Sequence, residues 1–220
     1  MSNINAIKFL SEGTSTISLI KKCDFITDYS VSLEYSYNSV DWSDWDLNAL
    51  TLNSVGTLYI RGNNPSGFSN ICTRYSFAIE GDNVSCSGNI MALIDYKNLP
   101  NIIPNDYCFS HLFSGCTALT TAPELPATNL TDACYFGMFE GCSSLETVPE
   151  LPAVELSEYC YAYMFYNCAS LKAAPELLAK GLAYSCYYRM FSGCTLLKTS
   201  HDLSTKGFIY NYGNLMVELC

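Results

Sequence analysis

Histidine is nearly absent: His111 and His201 are the only two in 220 residues, so the commonest general base and metal ligand is missing from most of the chain. Basic residues are scarce as well. Eleven Lys and Arg stand against 21 Asp and Glu, a formal charge of −10. That balance repels a phosphate backbone instead of releasing its counterions, so no nucleic-acid partner is expected. No apolar run approaches the roughly 18 residues of a membrane-spanning helix, and no membrane insertion is expected. The stretch from Met1 to Leu10 has neither the cationic start nor the apolar core of a secretory signal. No serine or cysteine has a placed base, no glycine-rich phosphate loop occurs, and neither histidine sits in a catalytic motif. The chain is therefore expected to be no enzyme, to have no catalytic residues, and to need no cofactor.

Apolar residues are plentiful, at 49% against 15% charged, enough for a substantial core. Twelve cysteines would suggest a disulfide framework in a short secreted protein, but their spacing says something else. Cys108, Cys134, Cys160 and Cys186 are each 26 residues apart, as are Cys116, Cys142, Cys168, Cys194 and Cys220. The chain is a repeat protein from about residue 87 onward.

Aligned, one unit reads Cys134-Tyr135-Phe136-Gly137-Met138-Phe139-Glu140-Gly141-Cys142, then Leu145, Pro149-Glu150-Leu151-Pro152-Ala153 and Leu156. At about 100° per residue, Cys134, Tyr135, Met138, Phe139 and Cys142 fall within roughly a 140° arc, which predicts a short helix over 132–141. Thr131 and Ser157 are expected N-caps. Gly115, Gly141, Asn167 and Gly193 are of the types that end a helix in the left-handed conformation. From Leu119 to Leu125 the period becomes two, which predicts a short strand whose width is limited by Pro123, Pro149 and Pro175.

Units reading Met-Phe-x-Gly-Cys-x-x-Leu and then Pro-Glu-Leu-Pro-Ala resemble the BspA-like leucine-rich repeats of bacterial surface proteins and their phage-borne relatives, over about 130 residues. The expected fold is mixed: an N-terminal small all-β module followed by an α/β leucine-rich-repeat solenoid with short parallel strands and short helices. Its expected domains are a β-sandwich-like cap over 1–85 and a solenoid over 86–220. The solenoid divides into a degenerate first coil (87–107), coils 108–133, 134–159, 160–185 and 186–211, and a capping fragment 212–220. Within the cap, short alternating runs at Ile17–Ile20, Val31–Tyr37, Thr57–Ile60 and Tyr75–Ile79 predict strands. Tyr35 to Trp42 predicts a tight turn fastened by Trp42 and resembles the Asp-box of sialidase-type propellers.

The cysteine spacings match no zinc motif, so no metal is expected; the thiols read as buried apolar spacers. Candidate ligand-binding residues lie on the outward strand face. Glu124, Glu150, Glu176 and Asp202 form an acidic column, and Thr120, Glu146, Lys172 and Lys198 a varied one beside it. Scaffold positions repeat for packing, whereas varied outward positions are free to suit a ligand. Tyr163, Tyr166, Tyr188 and Phe136 are expected to project from the helix side, either exposed for contact or covered by loops. The expected function is non-catalytic recognition of a protein or cell-surface glycan, with adhesion implied by the resemblance. The alternatives are a phage tail-associated attachment protein and an intracellular binder that antagonises a host factor. The absence of a signal peptide points to a cytoplasmic or virion-associated protein, reaching the cell surface only by another route.

Overall fold

The computed structural model describes residues 4–23 and 29–197. Its elements are β1 (Ile7–Ser11), β2 (Ser15–Cys23), β3 (Leu33–Ser36), β4 (Ser43–Asp44), β5 (Leu50–Leu52), β6 (Thr57–Gly62), β7 (Thr73–Gly81), β8 (Val84–Ser87), α1 (Ala92–Asp95) and β9 (Leu119–Thr121). One sheet runs β4-β3-β6-β1-β8-β9 and a second runs β5-β2-β7. Alternation drives both: Leu58, Ile60 and Gly62 of β6 are buried while Thr57, Tyr59 and Arg61 are half-exposed. The sheets face one another across a shared core. Phe9 of β1 meets Phe77 of β7 edge-on at 5.3 Å, and Trp45 stacks on Phe77 at 6.3 Å. The result is sandwich-like. The predicted runs fall within or across β2, β3, β6 and β7; β1, β4, β5 and β8 lie outside them.

The turn before Trp42 is real, but Asn38 fastens it. Its Oδ1 accepts the backbone N–H groups of Val40 and Asp41, each at 2.9 Å. Trp42 instead lies 3.8 Å from the Arg61 guanidinium, which has Tyr96 on another side at 4.1 Å and donates to Glu34 at 2.6 Å.

In the repeats the structure overturns the α/β leucine-rich-repeat reading. The protein is almost all-β, and the one helix among the described residues is the four-residue α1. The segment predicted as a helix over 132–141 is a ladder of turns. Ala133, Gly137 and Gly141 have φ of +52°, +57° and +73°, and Tyr159, Tyr163 and Asn167 of the next unit have +53°, +56° and +59°. A left-handed residue at every fourth position breaks the i→i−4 pattern. The donors alternate instead: Phe136 N–H bonds to Ala133 O at 3.1 Å, whereas Tyr135 N–H crosses to Cys160 O at 3.0 Å and Gly137 N–H to Ala162 O at 2.9 Å. Local turns and the neighbouring unit thus satisfy the backbone between them. Non-glycine residues held left-handed cost about 1 kcal/mol each, which the ladder bonds offset. The expected caps also act otherwise. Thr131 Oγ1 donates to Asn105 O at 2.7 Å and Ser157 Oγ to Leu130 O at 2.8 Å, tying units together.

Inside the stack, Phe113, Phe139, Phe165 and Phe191 form a parallel column at 5.4, 5.6 and 5.7 Å. Phe109, Tyr135, Tyr161 and Tyr187 form another at 5.9, 5.9 and 5.8 Å. The sheets start both columns. Phe77 stacks on Phe113 at 5.1 Å and donates its N–H to Leu112 O at 2.7 Å, while Phe68 lies 6.1 Å from Phe109. β7 therefore stands where a preceding unit would. On the opposite side β8 pairs in parallel with β9. Beyond β9 the expected strand shrinks to single bridges, Thr121 with Thr147 and Leu151 with Leu177, because the prolines supply no ladder donors.

Candidate functional site

On the bridge side, Glu124, Glu146, Glu150, Lys172 and Glu176 are all exposed. Backbone bonds fix their positions: Glu124 N–H donates to Gly88 O at 2.8 Å, and its carbonyl accepts from Ile90 at 3.1 Å. Thr120 is pinned, with Oγ1 donating to Val84 O at 3.3 Å. Lys172 Nζ reaches Glu146 Oε2 at 2.7 Å, an exposed pair between successive units that contributes little to stability. Lys198 and Asp202 lie outside the described residues, as do the end of coil 186–211 and the fragment 212–220.

These residues rim a trough. Glu146, Lys172, Glu150 and Glu176 border a groove of about 560 Å³ floored by Val148, Pro149, Ala174 and Pro175. A second groove of about 400 Å³ continues it past Glu124, sharing Pro149, Glu150 and Pro152. Glu146 and Lys172 of the varied column and Glu124, Glu150 and Glu176 of the acidic one therefore border one apolar floor that spans three units, whereas Thr120 lines neither groove.

The opposite side carries a zigzag of rings. His111, Phe136, Tyr163 and Tyr188 follow one another at 5.3, 5.4 and 5.4 Å, with Tyr166 against Tyr163 at 5.5 Å. They alternate between two columns, each ring beside a small residue, Gly137 or Ala162. The rings are half-buried against each other; they neither stand free nor lie under loops.

The cysteine columns are packed and chemically muted. Cys142 Sγ donates to Phe113 O at 3.0 Å, Cys168 to Phe139 O at 3.1 Å and Cys194 to Phe165 O at 3.0 Å. Burial pushes the Cys108 and Cys116 thiols up to about 12 and Cys142 well above the usual value, so none is a thiolate near neutral pH. Among the described residues, ten cysteines have free thiols. Among the described residues, no three His, Cys, Asp or Glu side chains converge as a metal site requires, and no helix is long and apolar enough to cross a membrane.

No protein family, curated protein or solved structure matches this chain.

One group of polar residues has no counterpart in the repeat pattern. Lys22 of β2 and Arg74 of β7 face His111 and Glu140, whose Nδ1 and Oε2 are 3.3 Å apart. Burial, then Arg74 and Lys22, push His111 down to about 4; Glu140 alone would raise it, but the two cations and desolvation outweigh that carboxylate. Burial also raises Glu140. The contact is therefore not an ion pair at neutral pH. Nothing in the linear sequence signals the cluster, because it forms only when β7 takes the place of a repeat unit.

Proposed function

We propose that the protein is a non-catalytic recognition module that holds an extended, cationic segment of a partner protein along the bridge-side trough. The observation that supports this reading is the apolar floor of prolines and small residues rimmed by Glu124, Glu150 and Glu176. An extended chain lays alternate side chains on such a floor, and Lys or Arg at the rim complements the row of acids. The motif resemblance to bacterial surface proteins points the same way, toward adhesion.

The test compares binding of extended Lys-containing and Glu-containing peptides on an array, using the full chain. Preference for the Lys peptides should fall at least tenfold in Glu150→Lys. Glu12→Lys, an equal charge change on another surface, should leave it within twofold. Equal losses in the two variants would show only the general attraction of a chain with charge −10, and the trough would not be the site.

A further inference from the structure

β2 and β7 pair in a register that sets Lys22 directly opposite Arg74. Like charges at a cross-strand pair repel. Neither cation has a carboxylate within ion-pair distance among the described residues, in a chain where acids outnumber bases by 21 to 11. Two opposed cations of this kind, with which no carboxylate among the described residues pairs, suit an anion between them.

The surroundings are shaped as a receptacle. Lys22, Arg74 and Ser76 overhang the first repeat units, where Ser114, Glu140 and Asn167 line a cleft of about 400 Å³. Arg74 and His111 also wall a second cleft of about 360 Å³, lined by Tyr107, Phe136, Tyr159 and Ile71. Because both residues belong to both clefts, a cationic lobe and an aromatic lobe form one depression. Gly137 gives the His111 ring its place: a Cβ there would lie 2.6 Å from His111 Cε1. At the rim, Ile71 is 69% exposed, on a turn held by Asn70 Oδ1, which accepts from Cys72 and Thr73 at 2.9 Å each.

We propose that this depression binds an acidic sugar, with the pyranose ring in the aromatic lobe and its carboxylate between Lys22 and Arg74. A guanidinium and an ammonium are the two side chains suited to a carboxylate, one as a planar fork and one as a point charge. Half-buried rings offer apolar faces to the C–H surfaces of a sugar, while Ser114 and Asn167 offer partners to its hydroxyls. Two cations and one carboxylate, Glu140, leave a net charge of about +1, which matches a single carboxylate and would leave one charge of a phosphate dianion uncompensated. This site lies apart from the bridge-side trough, so the two proposals stand or fall separately.

Titration calorimetry of the full chain with glucuronate and N-acetylneuraminate, against glucose and acetate, tests it. At least one acidic sugar should bind saturably and at least tenfold more tightly than either control. Arg74→Gln and Lys22→Gln should each weaken that binding at least tenfold, yet leave the melting temperature of the free protein unchanged or higher, because each removes the like-charge opposition. Lys22 is exposed, so its variant should fold even if Arg74→Gln does not, and the four-ligand comparison needs no variant. Equal affinity for glucose, acetate binding as tight as the sugar, no saturable binding, or retained affinity in Lys22→Gln would each overturn the assignment.

Discussion

Replacing Tyr135 by Phe should stabilise the protein. The Tyr135 ring is 1% exposed and lies between Phe109 and Tyr161, 5.9 Å from each and within 10° of parallel to both. Its hydroxyl is buried with no hydrogen-bond partner among the described residues, and burial, first among the causes, holds its acidity far below that of a solvated phenol. A buried hydroxyl with no partner costs about 1–3 kcal/mol of desolvation. Removing the oxygen recovers most of this and forfeits only a few dispersion contacts of about 0.1–0.2 kcal/mol each. The net gain is expected to be about 1–2 kcal/mol. Position 109 of the same column is already Phe, so the stack accommodates an unsubstituted ring. For a chain of this size, about 2–4 °C accompanies each kcal/mol, giving a rise of roughly 2–8 °C. Urea denaturation, with the slope unchanged, would measure it directly. A loss of 1 kcal/mol or more would refute the reasoning, since it would mean that a buried water satisfies the hydroxyl and that the phenol secures this part of the column.

Three further outcomes are expected. Cys168→Ala should cost about 1–2 kcal/mol, from roughly a methylene's worth of burial, the residual cavity and the weak Sγ–H bond to Phe139 O; iodoacetamide should label the native column thiols only at the rate of global unfolding, and rapid labelling would contradict their packing. His111 is held neutral, about 4 against 6.5 when unfolded, so the unfolded state binds the extra proton first: stability should fall as pH drops from 6.5 to 4, by at most about 3 kcal/mol. Glu140, raised in the fold, acts in the opposite direction, and Arg74 and Lys22 are the other charged groups that face the ring, so His111→Gln should flatten this limb in melting curves taken between about pH 4 and 7. Gly137→Ala should cost at least about 2 kcal/mol, combining a strained φ of +57° with a 2.6 Å approach to His111; in the background of His111→Ala only the backbone part should remain, and a strictly additive double-mutant cycle would place the clash elsewhere.

The repeat, its 26-residue length and its buried positions are legible in the sequence, whereas its local backbone is not. Cys134, Tyr135, Met138, Phe139 and Cys142 are all buried, as the apolar arc requires. They sit at offsets 0, 1, 4, 5 and 8, a period of four. Over nine residues a period of four and the helical 3.6 diverge by less than one residue, so periodicity alone does not separate a helix from a turn ladder. The left-handed residues do separate them, but Tyr159, Tyr163 and Arg189 adopt positive φ as readily as Gly137 does. Those side chains tolerate the conformation because each unit locks its neighbour, through bonds such as Tyr163 N–H to Tyr188 O at 2.8 Å. Such a contact between units is invisible to any window inside one unit.

The same argument explains which candidate sites could be found. Glu124, Glu150 and Glu176 line one trough because equal spacing in sequence becomes adjacency in space once units stack, and that much can be read from the 26-residue period. Lys22 and Arg74 come from outside the period. They reach His111 because Phe77 of β7 occupies the place of a column phenylalanine, stacked on Phe113 with only 17° between the rings, and its carbonyl accepts from Cys116 Sγ as Phe113 O accepts from Cys142. Once a sheet edge imitates a repeat unit, Arg74 and its cross-strand partner Lys22 are carried onto the repeat surface beside His111 and Glu140. The junction between module and stack therefore brings two cations, the His111 and Phe136 rings and the Glu140 carboxylate together on the turn-ladder face.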